Sequence, residues 1–155
     1  QDLPVIISVT AGFLVSLMVA GKLVTGLNQF EFFSSSAAFQ AAATSVGIMD
    51  YASLAVPISF LVLSIVLAAR IPSTPYLIPV SVLYLGVVVF ASGQISNALM
   101  AVAESSAFSG VVAGLPLTGL VINNMPLIFG VGGVAIIIAV YTVFNGGGGG
   151  VRAPV

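Results

Sequence analysis

The run Met125-Pro-Leu-Ile-Phe-Gly-Val-Gly-Gly-Val-Ala-Ile-Ile-Ile-Ala-Val-Tyr-Thr-Val-Phe144 decides the fold class, because it is apolar throughout and contains no charged side chain. An amphipathic helix of a soluble domain presents a polar face every three or four residues, and this run has none. At ~1.5 Å per residue a helix of this length reaches ~30 Å, the thickness of the hydrocarbon core of a bilayer. The run therefore predicts a helix surrounded by lipid or by other apolar protein.

The composition of the whole chain agrees with that prediction. Hydrophobic residues make up 59% of the 155 residues and charged residues only 5%, whereas about a quarter of the residues of a soluble domain are charged. The net charge of −1 argues against an ordinary DNA-binding domain. The sequence has no Cys and no His, which excludes disulfides, thiol chemistry and the usual zinc ligands. We predict no catalytic residue, no cofactor, no metal site and no small-molecule substrate, and the protein is not expected to be an enzyme.

Three further apolar segments precede this run, at 4–27, 51–69 and 77–102. Asp50 directly precedes the second segment, so it is predicted to cap the N-terminus of that helix. The connectors 28–49 and 104–118 are rich in Ser and Ala with interspersed Phe, and we interpret them as interfacial. Because the chain begins with Gln1 rather than Met, we expect either removal of a leader or a shortened chain.

A shift of 69 positions aligns the two halves of the chain without a gap. It brings five residues onto identical ones, namely Asn28 onto Asn97, Ser36 onto Ser105, Phe39 onto Phe108, Pro57 onto Pro126 and Phe60 onto Phe129. The sequence therefore predicts an all-α, membrane-protein-like fold of four very hydrophobic antiparallel helices in two tandem hairpins. Residues 1–70 form the first hairpin, 71–75 a Pro-rich turn, 76–144 the second hairpin and 145–155 a Gly-rich flexible tail.

Several residues are candidates for helix packing rather than for chemistry. Gly12, Ser16 and Ala20 recur every four residues, and such small side chains let membrane helices approach closely. The glycine cluster 130–133 indicates close packing or a local break in the helix. The amide side chains near the apolar runs are predicted to serve in capping or in hydrogen bonds between helices; they are Gln94, Asn97, Asn123 and Asn124.

The few charges suggest an orientation. If the helices alternate in direction, Lys22, Glu31, Asp50 and Glu104 share one side, while Asp2, Arg70 and Arg152 share the other. The positive-inside tendency then favours the side of Arg70 and Arg152 as the inner one. Accessibility labelling of a Cys placed at Ser73 tests this orientation.

The order of these elements resembles a known family. An apolar helix, a short Ser-rich connector and a second helix entered through a hydrophobic-Pro-hydrophobic-x-aromatic motif resemble the coat proteins of spindle-shaped archaeal viruses of the fusellovirus type. The motif stands as Val56-Pro57-Ile58-Ser59-Phe60 and again as Met125-Pro126-Leu127-Ile128-Phe129. Members of that family carry one hairpin, whereas this chain has two in tandem.

The resemblance implies a structural protein, the major capsid subunit of a virion, that assembles with many copies of itself. Lipid and non-specific contact of Arg70 and Arg152 with packaged DNA are further expected partners. Two alternatives stay open at this stage. One is a small four-helix protein of the cell membrane, as a subunit of a complex or transporter, and the other is a hydrophobic pilin of the conjugation type.

Overall fold

The computed structural model describes residues 3–68 and 77–146, which form six helices. In chain order they are α1 (Leu3–Leu27), α2 (Glu31–Ser34), α3 (Ala37–Ala68), α4 (Leu77–Ala103), α5 (Ser109–Ala113) and α6 (Pro116–Gly146). The four long helices contain 25 to 32 residues, which corresponds to ~37–48 Å. By length and composition, each of the four could cross a membrane. The predicted all-α fold of four long apolar helices is confirmed.

The long helices pack as two antiparallel hairpins placed side by side. Helix α1 lies against α3, α4 lies against α6, and the two pairs meet mainly along α3 and α6. The direction of each pair follows from its contacts. Gly93 of α4 faces Pro126 of α6 whereas Val89 faces Gly130, so these two helices are antiparallel. Helices α3 and α6 are parallel, because Asp50 of α3 binds Leu117 of α6, and the later Leu61 lies beside the later Gly132.

Helix α3 begins much earlier than the sequence pattern predicts. The segment 28–49 was expected to be a connector, yet α3 starts at Ala37 and continues to Ala68. Five alanines lie in its first seven residues, and alanine has the highest helix propensity of all residues. Pro57 neither starts the helix nor ends it, but lies inside it and is buried. Most of the predicted connector 28–49 is therefore helical, with α2 followed by the first turns of α3.

Helix α6 also exceeds its predicted bounds at both ends. It includes Asn123 and Asn124 within its first turns and extends to Gly146, past the predicted start of the tail at Asn145. The Pro-rich turn 71–75 and residues 147–155 of the tail lie outside the described residues.

The two halves repeat the order long helix, short helix, long helix, but in a register that differs from the sequence alignment. The starts of α2 and α5 are 78 positions apart, and the starts of α3 and α6 are 79 positions apart. In the predicted register of 69, Asn28, which follows α1, would match Asn97, which lies inside α4. The gapless 69-residue register is therefore wrong for the structural elements.

The core lies where all four long helices meet. Its most buried side chains come from α1 and α6 and include Leu14, Met18, Met125 and Phe129. The glycine cluster of α6 allows a close approach of its neighbours, because a Cβ on Gly132 would lie 2.6 Å from Leu61 of α3. A Cβ on Gly133 would likewise collide with Leu85 of α4. The close-packing interpretation of these glycines is correct, and α6 continues through them without a break.

The charged side chains in the described ranges gather at one end of the bundle. This end, here called the acidic end, holds α2, α5, the last turns of α1 and the start of α6, together with Lys22, Glu31, Asp50 and Glu104. A second, smaller apolar cluster of Leu17, Val111 and Leu115 packs α5 against α1 there. Asp50 is the buried member of the charged group, and the other three are exposed.

Candidate functional site

Asp50 accepts three hydrogen bonds that connect two long helices, α3 and α6. Its side chain lies in α3, is only 4% exposed, and points at the N-terminus of α6. The Leu117 N–H donates to Asp50 Oδ2 over 2.9 Å, and the Thr118 N–H donates to Oδ1 over 2.7 Å. The Thr118 hydroxyl donates to the same Oδ1 over 2.6 Å. Asp50 therefore acts as the N-cap of a helix that lies 67 residues further along the chain.

The sequence at the start of α6 explains why it needs a cap from elsewhere. The first turn of any helix leaves its N–H groups without partners inside the helix. Leu115, the residue before the helix, has no polar side chain, and its own N–H donates to the Val112 carbonyl. Pro116 has no N–H and suits the first helical position. The two remaining donors, those of Leu117 and Thr118, are the ones that Asp50 accepts.

The prediction that Asp50 caps its own helix is therefore wrong. Asp50 lies well inside α3, because that helix begins at Ala37. The residue type pointed correctly to an N-cap, since a carboxylate stabilises the positive end of a helix. The helix it caps could not be found from local spacing. One signal was available in the sequence, because Leu115-Pro116 starts a helix without a capping side chain of its own.

The inner surfaces of the bundle also contain several hydroxyl groups. Ser96 of α4 donates to the Ile122 carbonyl of α6, which joins the two helices of the second hairpin. Ser53 and Ser92 donate to carbonyls of their own helices. The Thr10 hydroxyl is fully buried and has no hydrogen-bond partner in the described part of the chain.

The amide side chains singled out from the sequence do not join the helices. Gln94, Asn97 and Asn123 are exposed, and Asn124 donates to the Leu120 carbonyl of its own helix. The polar link between α4 and α6 is made by Ser96 instead. A serine in an apolar helix is too common to be singled out from sequence.

The small-residue stripe of α1 faces away from the bundle. Gly12 is exposed, and nothing lies within 4 Å of a Cβ built on it. Ser16 is exposed as well, and its hydroxyl donates to the Gly12 carbonyl. Ala20 is half-buried. No described helix of the same chain packs against the stripe at Gly12.

The two copies of the Pro-x-x-Phe motif have different surroundings. Phe129 is fully buried at the centre of the core, whereas Phe60 is 39% exposed on α3. Pro57 is buried, and Pro126 is half-buried beside Gly93 of α4. The motif therefore contributes to packing in both halves, but only the second Phe is a core residue. Arg70 and Arg152, predicted to face a genome, lie outside the described residues.

The outer surface of the bundle is apolar on all four long helices. Large exposed side chains include Val5 and Leu23 of α1, Leu63 of α3, Leu83 of α4 and Val131 of α6, each more than half exposed. A soluble monomer rarely exposes contiguous apolar patches of more than a few hundred Å². This surface therefore requires a covering of lipid or of apolar protein.

The acidic side chains of the described residues are few, and the buried one is used in packing. Within residues 3–68 and 77–146, no group of three or more His, Cys, Asp or Glu side chains could hold a metal ion. Asp50 has its acceptor oxygens occupied by the α6 N-terminus. The arrangement fixes one helix to another, which is a structural role.

Comparison of the chain with protein-family models, with curated proteins and with solved structures gives no match. The resemblance to the coat proteins of spindle-shaped viruses stays a prediction from the sequence pattern.

Proposed function

We propose that this protein is a structural subunit, the major coat protein of an archaeal virus shell, which assembles through apolar contacts between helices. The observation that carries the proposal is the apolar outer surface, which extends over all four long helices. Such a surface suits a subunit that has copies of itself, with or without lipid, on every side. As a coat protein it would be located in the virion.

The outward stripe of α1 supports lateral association. Gly12 and Ser16 leave a flat strip in which no side chain projects beyond a hydroxymethyl group. Small residues at this spacing let two helices in an apolar layer approach closely. The Ser16 hydroxyl donates to a carbonyl of its own helix. Burying it between two helices would therefore not leave an unpaired polar group.

Imaging and cross-linking of the full chain test the proposal together. Negative-stain microscopy of native material should show large regular particles. Because the chain has no Cys, a Gly12→Cys variant should give disulfide-linked dimers on mild oxidation of those particles. Thr10→Cys, two positions away on the buried side of α1, should give none. Small detergent-solubilised oligomers without particles would contradict the proposal.

A second candidate is a small four-helix protein of the cell membrane. It is favoured by one observation, namely that the buried carboxylate of Asp50 is satisfied within a single chain. A bundle whose buried carboxylate is hydrogen-bonded within the chain needs no neighbouring subunit to satisfy that group in a bilayer. The same imaging experiment separates the two, because a membrane subunit remains in small oligomers whereas a coat protein forms particles.

A further inference from the structure

Pro126 interrupts the hydrogen bonding of α6 at a buried position. In an α-helix the N–H of each residue donates to the carbonyl four residues earlier, and proline has no N–H to donate. The carbonyl that loses its helical partner at Pro126 is that of Ile122, a residue that is only 1% exposed. A buried carbonyl without a donor costs free energy, so a donor from another helix is favourable at this point.

Ser96 of α4 supplies that donor. Its hydroxyl donates to the Ile122 carbonyl across the pair of helices, and its side chain is buried. A serine inside a helix commonly donates to a carbonyl three or four residues earlier in the same helix, as Ser92 of α4 does. Ser96 instead reaches the carbonyl of α6 that Pro126 leaves without a helical partner.

The same stretch of α4 also leaves room for the proline ring. Gly93 faces Pro126, and a Cβ built on Gly93 would lie 3.8 Å from Cγ of the ring. A methyl group would therefore touch the ring, and a larger side chain directed at it would overlap with it. Residues three apart lie on the same face of a helix, so Gly93 and Ser96 act together. One gives space to the ring, and the other gives a donor to the carbonyl.

We propose that Gly93 and Ser96 form a socket for Pro126 that fixes the position of α6 along α4. A displacement of α6 by one turn, ~5.4 Å, would take the Ile122 carbonyl away from Ser96 and leave it unpaired inside the bundle. A buried polar residue specifies the register of apolar helices in the same way in coiled coils. The socket lies within one chain, so its role is the same whether lipid or copies of the chain cover the outer surface.

A double-mutant cycle on the full chain in mild detergent tests the socket, with unfolding by denaturant followed by far-UV circular dichroism. In Ser96→Ala the Ile122 carbonyl loses its donor, and the equilibrium constant of unfolding should rise ~10-fold. In Pro126→Ala the new N–H restores the bond inside α6, so the further change Ser96→Ala should raise that constant less than ~2-fold. The same ~10-fold effect of Ser96→Ala in both backgrounds would overturn the inference.

Two matched controls separate the socket from general effects of these substitutions. Ser92 is a buried serine one turn before Ser96, and its hydroxyl bonds within α4. Ser92→Ala should therefore have the same effect in the presence of Pro126 and of Pro126→Ala. Pro57 lies inside α3 as Pro126 lies inside α6, and Pro57→Ala should leave the ~10-fold effect of Ser96→Ala unchanged. Loss of that effect in Pro57→Ala would reveal a general response to proline removal and overturn the inference.

Disulfide trapping measures the register directly, because the chain has no Cys of its own. A Cβ on Gly130 would lie 3.4 Å from the Val89 side chain, so Val89→Cys with Gly130→Cys reports the register of the structure. Val89→Cys with Val134→Cys, one turn further along α6, reports a displaced helix. Adding Ser96→Ala should raise the rate of this second disulfide ~10-fold, in proportion to the stability lost with the bond, whereas Ser92→Ala should leave the rate unchanged. An unchanged rate in Ser96→Ala would overturn the role of the socket in fixing the register.

Discussion

Removal of the Asp50 carboxylate should destabilise the bundle more than removal of any exposed charge. In Asp50→Ala the N–H groups of Leu117 and Thr118 lose their acceptor at a buried position. Each buried donor left unpaired costs ~1–3 kcal/mol, and the favourable contact of a negative charge with the helix N-terminus is lost as well. We expect a loss of ~3 kcal/mol in the free energy of unfolding. For a chain of this size that corresponds to ~6–12 °C in Tm, at ~2–4 °C per kcal/mol.

Thermal unfolding in mild detergent, followed by far-UV circular dichroism, measures this loss. Glu104→Ala is the matched control, because Glu104 is an exposed carboxylate at the same end of the bundle, and it should change stability by less than ~0.5 kcal/mol. Asp50→Asn retains one acceptor oxygen and should lose ~1–2 kcal/mol. Thr118→Val removes only the hydroxyl donor and should lose ~1 kcal/mol. Equal Tm values for Asp50→Ala and Glu104→Ala would refute the role of Asp50 as a cap.

Three further predictions concern the packing of the core. Gly132→Val should lose ~1–3 kcal/mol because its side chain meets Leu61, and adding Leu61→Ala should restore part of the loss in the same unfolding assay. Phe129→Ala should lose ~3–5 kcal/mol, whereas Phe60→Ala, at the partly exposed matching position, should lose less than half as much; equal losses would contradict the assigned burial. Thr10→Val removes a buried hydroxyl without a described partner, so we expect no loss of stability or a gain of up to ~1 kcal/mol, and a clear loss would show that the hydroxyl is satisfied.

The number and type of the long helices could be predicted because an apolar layer leaves few choices. A segment such as 125–144, which is apolar on every side, can satisfy its backbone in that layer only as a helix or as part of a closed barrel. Its length then fixes the span. The glycine cluster 130–133 could likewise be connected with close packing, because glycine leaves space for a neighbouring side chain.

The contacts between the helices could not be predicted in the same way. Asp50 stands before an apolar run, so its local pattern is that of a helix start, but the alanines after Ser36 begin the helix more than three turns earlier. Its acceptor role is fixed by the position of α6 in space, which the sequence does not encode locally. Phe60 and Phe129 occupy identical motifs, yet one is 39% exposed and the other is buried. Which face of an evenly apolar helix turns inward cannot be found from its hydropathy, because no polar face marks the outside.

The contact between Asp50 and α6 also sets an order of events during synthesis. Asp50 is made 67 residues before Leu117, so the first hairpin is complete while its buried carboxylate still lacks the groups that it will bind. When the starts of α3 and α6 are aligned, the residue of α6 that corresponds to Asp50 is Phe129, whose side chain has no hydrogen-bonding group. The first half of the chain therefore caps a helix of the second half, and the second half has no carboxylate at the corresponding position. Neither half is a self-sufficient copy of the other. When α6 is added, it completes the bundle. Its N-terminal N–H groups then provide the hydrogen-bond donors that the Asp50 carboxylate lacked in the first hairpin.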